Sequence, residues 1–372
     1  MTTPAGATPV AGREDDEMID TNAPPVRSPR ADAQWTDPAA PRDDDEFVRR
    51  ADPYRRELLV HCYRMLGSVH DAEDLVQETF LRAWRGYDRF EGRSSLRIWL
   101  YRIATSACLT ALENRSRRVL PTGLGAPEKD AERPLLTVAG SEVQWLQPLP
   151  DALASDPAAI VAVRDSVRLA FIAALQHLSA KQRAVLILRD VMDWHAAEVA
   201  DLLDTTTIAV NSALRRARAQ LEKAAPSHDE LTEPDDPRRR DLLHQYTTAF
   251  ENADVPGLLR LLRDDVVLEM PPNLAWFDGR TAVGTFLGAN VLGRRAFTMV
   301  TTAANGQAAA AGYLAGRDGR RHAHAIQVLT ATSSGISHIV SFNDPGLFAA
   351  FGLPAVLDGA QHGVASAGPW RG

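Results

Sequence analysis

Two stretches that no regular helix can cross divide the chain into three blocks. Residues 119–163 are rich in Pro, Gly and acids and hold the island WLQPLPD (Trp145–Asp151). Its two prolines, Pro148 and Pro150, lack a backbone donor and fix φ, which excludes a helix. Ala225–Pro237, APSHDELTEPDDP, is the second break. Residues 47–118 are helix-periodic almost throughout, with Gly67 and Gly92 as punctuation, and residues 164–223 resume that period. Beyond the second break come two helix-like runs (239–251 and 255–262), then DVVLEMPP and Gly-punctuated apolar stretches such as YLAG and HAIQVLTAT. This is an α+β signature. The expected fold class is therefore multidomain: a helical bundle at 47–118, a second all-α domain at 164–223 and an α+β domain at 239–345. The flanks are 1–46, 119–163, 224–238 and 346–372, and the 372-residue length suits that division.

Charge follows the same blocks. The formal net charge of −7 is carried by residues 1–46, with 4 arginines against 11 acids and no periodicity, which predicts a disordered acidic tail. Residues 53–118 come to +4 and residues 119–163 to −4, so whole-chain charge says little about partners. Cys62 and Cys108 stand far apart with no histidine or second cysteine at ligand spacing, so neither a disulfide framework nor a metal site is expected. No run approaches the roughly 18 apolar residues of a membrane span, and the N-terminus lacks the order of a secretory signal; the chain is expected in the cytoplasm, off the membrane.

Residues 71–104, DAEDLVQETFLRAWRGYDRFEGRSSLRIWLYRIA, join an acidic helix to a basic, aromatic segment. On a helix Asp71, Asp74 and Glu78 form a carboxylate stripe, while Val76, Phe80 and Trp84 fall on a face expected to be buried. Like charges at this spacing cost a few tenths of a kcal/mol per pair. Two explanations stand. Asp71, Glu73 and Asp74 complement the helix dipole in a first turn, which leaves Glu78 unaccounted for; or the stripe faces a basic protein partner. Downstream, Arg82, Arg85, Arg89, Arg93, Arg97 and Arg102 interleave with Trp84, Tyr87, Phe90, Trp99 and Tyr101. Guanidinium groups track phosphates and aromatic faces accept unstacked bases, a mixture suited to single-stranded nucleic acid. A core helix with Trp99 and Tyr101 buried beneath solvated arginines fits the pattern equally. Ser94 or Ser95 is placed to cap the helix beginning near Leu96.

The second block ends in HAAEVADLLDTTTIAVNSALRRARAQL, with the form of a helix-turn-helix: a short helix from His195 to Leu203, a turn at Asp204–Thr206, and a longer helix from Thr207. Val210, Leu214, Ala217 and Leu221 make its buried face. Asn211, Arg215 and Arg218 form an exposed stripe with Ser212 and Arg216 beside it. This is either an ordinary amphipathic helix with a basic face or, as the preceding helix, tight turn and arginine spacing favour, a major-groove reader, Asn for adenine and Arg for guanine or phosphate. Trp194 and His195 are expected to pack or cap.

These residues carry a resemblance. HCYRMLGSVHDAEDLVQETFLRAW, YDRFEGRSSLRIWLYRIA and ENRSRR resemble region 2 of extracytoplasmic-function sigma factors, within the sigma-70 family (group 4). LSAKQRAVLILRD and the helix-turn-helix resemble region 4, and residues 239–345 resemble a SnoaL-like cone domain, an arrangement similar to the SigG type of that family. The resemblance implies an RNA polymerase sigma factor, not an enzyme, needing no cofactor or metal, with core RNA polymerase (β′ clamp and β flap) and promoter DNA as partners. It implies that Asp71, Glu73, Asp74, Gln77 and Glu78 bind polymerase. Arg93, Ser94, Ser95, Arg97, Trp99, Arg102, Asn114, Arg115, Arg117 and Arg118 would serve the promoter −10 element, and Thr206, Thr207, Asn211, Ser212, Arg215, Arg216 and Arg218 the −35 element. Trp145, Leu146, Pro148, Pro150 and Asp151 resemble a regulatory linker motif of members with a SnoaL-like domain.

In free-standing relatives of that domain the cone can be an active site; here Asp278, His322 and His324 are its polar candidates, with Trp276 and Tyr313 as lining, and no acid/base pair is fixed by spacing. The domain is expected instead to modulate the others, the acidic linker and cone contacting the basic first domain by charge complementarity. The rival readings are a stand-alone helix-turn-helix regulator and a SnoaL-like enzyme fused to a DNA-binding module.

Overall fold

The turn between the second and third helices organises the first domain. In this computed structural model, which describes residues 44–92, 94–113, 115–154, 166–224, 237–293 and 295–358, α1 (Asp44–Ala51) leads into α2 (Arg55–Leu66). The latter ends at Gly67 in the left-handed region, φ 70°, its N–H on the Tyr63 carbonyl at 2.7 Å. Glycine suits that conformation, and a Cβ there would lie 2.7 Å from Leu146 Cδ2, so any other residue would be strained and would have to displace Leu146. Ser68 then caps α3 (Val69–Gly86), its hydroxyl accepting from the Asp71 N–H at 3.2 Å. Ser95 caps α4 (Leu96–Glu113) through the Ile98 N–H at 3.2 Å. Every residue of α2 from Leu58 to Leu66 is buried, because helices and a sheet cover it on all sides.

Of the expected buried face of α3, Val76 is buried while Phe80 and Trp84 are half-buried at its margin; Ala72, Thr79 and Ala83 complete the inner row. Small residues let α3 lie close to its neighbours, and the large rings spread toward the edge.

After α5 (Asp151–Ala154) the second domain runs through α6 (Leu169–Leu175), α7 (Ala180–Leu186), α8 (Ala196–Leu202) and α9 (Thr207–Ala224). Helix α7 opens on a capping box: Ser179 N–H donates to Gln182 Oε1 at 3.0 Å, and Gln182 N–H to Ser179 Oγ at 3.4 Å. His195 N–H likewise donates to Glu198 Oε2 at 2.7 Å at the head of α8, and Trp194 is buried, as expected of packing and capping residues.

The C-terminal domain begins with α10 (Pro237–Glu251) and α11 (Val255–Leu261), and α12 (Arg280–Phe286) lies between its second and third strands. The strands are β1 (Leu262–Glu269), β2 (Trp276–Asp278), β3 (Phe297–Ala304), β4 (Gln307–Ala315), β5 (Arg321–Thr332), β6 (Gly335–Phe342) and β7 (Val356–Leu357). Their order is β2-β1-β6-β5-β4-β3 with β7 on β5; β1 and β6 are parallel and the other pairs antiparallel. Register shifts at Gly312/Tyr313 and Thr330/Ala331 bend the sheet into a cone.

Two buried clusters result. One fills the cone, with Phe250, Phe277, Phe286, Leu329 and Ile339. The other runs through both helical domains and onto the outer face of the sheet, taking in Ala309, Ala311, Tyr313, Ile326, Val328 and Val340. Both faces of β4 are thereby covered, which is why QAAAAGYLA has no polar alternation.

The stretch expected as a linker behaves differently over its described part, 119–154. It is an ordered strap, joined to β2 by Glu128 N–H on the Trp276 carbonyl at 2.8 Å and to β3 by an antiparallel bridge between Pro150 and Ala304. The tail at 1–43, and residues 155–165, 225–236 and 359–372, lie outside the described residues.

Candidate nucleic-acid interface

The acidic stripe of α3 is only partly open. Asp71, at the N-terminal turn, accepts from Arg115 Nη1 at 2.5 Å and from Arg118 Nη2 at 2.6 Å. Glu78 pairs with Arg82 one turn on, also at 2.5 Å. These contacts offset part of the like-charge cost within the chain. Asp74 and Gln77 are exposed and Glu73 half-buried, and neither Glu73 nor Asp74 has an ion-pair partner among the described residues. An open polar cleft of about 280 Å³ lies beside this pairing, lined by Asp71, Arg115, Ser116 and Gln144.

The basic, aromatic stretch folds back onto the rest of the molecule. Arg97 Nε donates to both Glu57 oxygens, at 2.9 and 3.0 Å, and its guanidinium lies 5.2 Å from the Tyr101 ring and 5.9 Å from the Trp194 ring. Burial works against the charged form of Arg97, but the Glu57 hydrogen bonds and charge outweigh it, leaving its pKa raised. Arg102 reaches the Asp201 carboxylate and, at 3.1 Å, its carbonyl. Arg117 Nη1 meets His177 Nδ1 at 2.8 Å; burial, then the Arg117 charge, lowers the His177 pKa. Arg118 also donates to the Trp145 carbonyl at 2.6 Å. Trp99 is half-buried against Phe90, centroids 4.9 Å apart, with Tyr101 fully in the core. Ser94 is half-buried, and Arg93 and Asn114 lie outside the described residues.

Trp194, His177 and Asp201 belong to the second helical domain, so the two domains are closed upon each other. Two arginines that the sequence did not single out sit in that contact. Arg64 Nη2 donates to Ser166 Oγ at 2.6 Å, while Arg183 reaches the Met65 carbonyl and Gln176 Oε1, the latter at 2.9 Å. Neither has a carboxylate partner among the described residues, and burial lowers each to about 10.

In the helix-turn-helix, Asp204 takes a left-handed φ of 48° and Thr206 Oγ1 caps α9 through the Ala209 N–H at 3.2 Å. Val210, Leu214 and Ala217 are buried and Leu221 half-buried, while Thr206, Thr207, Asn211, Arg215 and Arg216 are exposed and Ser212 half-buried. Arg218 is exposed with them, and its guanidinium grips Asp190 at 2.8 and 2.7 Å.

The WLQPLPD island ties these parts together. Leu146 and Leu149 are buried to 1% and 0% exposure, Pro148 and Pro150 are buried, and Trp145 is half-buried. Gln147 accepts from Ser68 Oγ at 2.6 Å, meets His70 Nδ1 at 3.3 Å, and sends its N–H to the Gly67 carbonyl at 3.0 Å. Asp151 accepts from Gly306 N–H at 2.7 Å. The strap meets the first domain through Gln147, backbone groups and Leu146, and Glu128 and Asp130 accept from N–H groups of their own turns.

Asn305, at the tip of the β3–β4 hairpin, was not legible as a site. Its Nδ2 donates to Tyr63 Oη at 2.7 Å and the Val167 carbonyl at 2.6 Å, and its Oδ1 accepts from Leu149 N–H at 2.9 Å. The polar candidates of the cone do not converge. Tyr313 lies in the outer core, Trp276 Nε1 donates to Gly125 of the strap at 3.0 Å, and Asp278 is exposed. His322 pairs with Asp318 at 2.9 Å, and His324 packs 6.0 Å from Phe297, its pKa lowered by burial and then by Arg295.

Comparison with known proteins matches the Sigma-70 region 2 family to residues 51–118 and the Sigma-70, region 4 family to residues 168–221. The chain is 51% identical over 333 residues to the ECF RNA polymerase sigma factor SigG of Mycobacterium tuberculosis, covering 88% of this chain and 89% of that one. It is 30% identical to the ECF sigma factor SigW of Bacillus subtilis over 49% of this chain and 89% of that one. In structure it resembles the M. tuberculosis sigma factor SigJ, with a TM-score of 0.52 and 23% identity over 83% of this chain and 99% of that chain, a likeness of fold. Among the described residues no helix is long and apolar enough to cross a membrane. The helical bundle, the helix-turn-helix and the SnoaL-like cone together make this chain a member of the extracytoplasmic-function sigma factors of RNA polymerase.

Proposed function

We propose that this sigma factor is held in a closed state by its own C-terminal domain and strap, and opens to join core polymerase. The observation that carries this reading is the fate of the −10 arginines. Arg102 and Arg117 are held by Asp201 and His177 of the second helical domain and Arg118 by the Trp145 carbonyl of the strap, while Arg97 and Arg115 are paired within the first domain. Asn305 of the cone in turn grips Tyr63, Leu149 and Val167. On opening, the α3 face with Asp71, Glu73, Asp74, Gln77 and Glu78 docks on the β′ clamp and region 4 on the β flap. The released arginines with Ser94, Ser95 and Trp99 hold the melted −10 strand, with Arg93 and Asn114 in the same role. Thr206, Thr207, Asn211, Ser212, Arg215, Arg216 and Arg218 engage the −35 duplex, Arg218 after leaving Asp190. The chemistry is that of polymerase, and the SnoaL-like domain regulates; Trp145, Leu146, Pro148, Pro150 and Asp151 are the regulatory segment that links them.

Run-off transcription by purified core polymerase with the full chain, on a promoter library, tests the reading. Promoter-dependent transcripts are expected at a basal level from the full chain and at a higher level from Asn305→Gly, which loses the cone's bond to Tyr63; equal output from the two would remove the closed state. DNA binding without any transcript would replace it with the stand-alone regulator.

A further inference from the structure

Ile208 is 78% exposed, on the second residue of α9. A single exposed isoleucine needs no explanation by itself, but its position supplies one. With about 100° between successive helical residues, Ile208 stands opposite the buried Val210, Leu214 and Ala217, in one row with Ser212 and Arg215. Arg215 and Arg216 are exposed on the same helix, a charge match for a phosphate-lined groove. The end of the helix is held firmly: Thr206 caps it, and Thr205 N–H reaches the Ala200 carbonyl at 2.9 Å. A β-branched side chain on such a mount has few rotamers. The first turn of the second helix is also the part of a helix-turn-helix that reaches base edges. Of the groups displayed in the major groove, the one matched to an aliphatic side chain is the C5 methyl of thymine.

We propose that Ile208 reads a thymine methyl in the −35 duplex, adding an apolar determinant to the polar contacts of Asn211, Ser212 and Arg215. The inference rests on the function proposed above. It predicts a sequence preference that the arginines and asparagine alone would not create.

The test uses the full chain with core polymerase and a promoter it selects. Each thymine of the −35 duplex is replaced singly by deoxyuridine, which pairs identically and lacks only the methyl. Wild type should lose about fourfold in promoter occupancy at one position, the worth of one buried methyl group. Ile208→Ser should be indifferent at that position, while Ile208→Val, which keeps an apolar branch, should retain the sensitivity. Ile208 is exposed, so neither variant threatens the fold. Indifference of the wild type at every thymine, sensitivity persisting in Ile208→Ser, or a selected element with no thymine overturns this inference alone. A chain that supports no promoter-dependent transcription overturns the proposed function and this inference with it.

Discussion

Asn305 and Tyr63 lie 242 residues apart in sequence and 2.7 Å apart in space, the amide of the cone hairpin donating to the phenol of α2. The same side chain holds Leu149 of the strap and Val167 at the entrance to region 4. One asparagine thus bonds every part that the proposed opening would separate.

Asn305→Gly removes the side chain yet suits the left-handed φ of 57°. Orphaning buried partners costs about 1–3 kcal/mol each. A loss of roughly 2–4 kcal/mol in urea unfolding is expected, together with more run-off transcript than wild type gives. Unchanged stability and output would dismiss the clasp.

Arg64 carries the opposite sign. Its charge is buried with no carboxylate beside it among the described residues, and its Nε finds no acceptor. Exchanging even a buried ion pair for well-packed apolar groups is often neutral or stabilising by about 1–4 kcal/mol, and Arg64 lacks the compensating carboxylate that such a pair has. Arg64→Met is expected to stabilise the closed chain by about 1 kcal/mol and to lower transcription. Destabilisation in denaturant would contradict this.

Acid sensitivity should trace to His61. Burial, then the Arg64 charge, lowers its pKa to about 3, and its Nε2 meets Thr105 Oγ1 at 2.9 Å. The folded chain keeps the ring neutral where the unfolded chain protonates it. Stability is therefore complete above pH 6.5 and declines as pH falls toward 3, by roughly 1.4 kcal/mol per unit. Between pH 6.5 and pH 5 the wild type should lose about 2 kcal/mol. His61→Gln should flatten that slope; equal slopes would assign the acid loss elsewhere.

Asp74 is exposed and without an ion-pair partner among the described residues, so Asp74→Arg should leave the unfolding midpoint where it is. Core polymerase binding should weaken at least tenfold, about 1.4 kcal/mol, in a pull-down titration. Asp71→Asn should differ, freeing Arg115 and Arg118 and raising affinity for single-stranded DNA.

The helices were legible because their period, caps and turn residues agree. Ser95, Gly67 and the Asp204–Thr206 turn stand where the sequence placed them, and Val210, Leu214 and Ala217 form the inner face of α9. The strap was not, since two prolines rule out a helix without revealing that Leu146 and Leu149 are core residues. Nor does spacing show that Arg102 will find Asp201, a contact between residues 99 apart. One signal was present and missed: Asn305-Gly306 between apolar runs is the dipeptide of a tight hairpin. The cone candidates failed because residue type does not tell which face of the sheet a side chain takes, and Tyr313 took the outer one.

The border between the two buried clusters runs through the thickness of the sheet, so the molecule has no seam where its third part begins. Cutting after region 4 would strip Ala309, Ala311, Ile326 and Val328 from the helices they cover and leave a raw oily surface on the remnant. The cone is a wall of the helical core whatever else it does, and exchanging it for that of another sigma factor requires re-tailoring both sides of the join together.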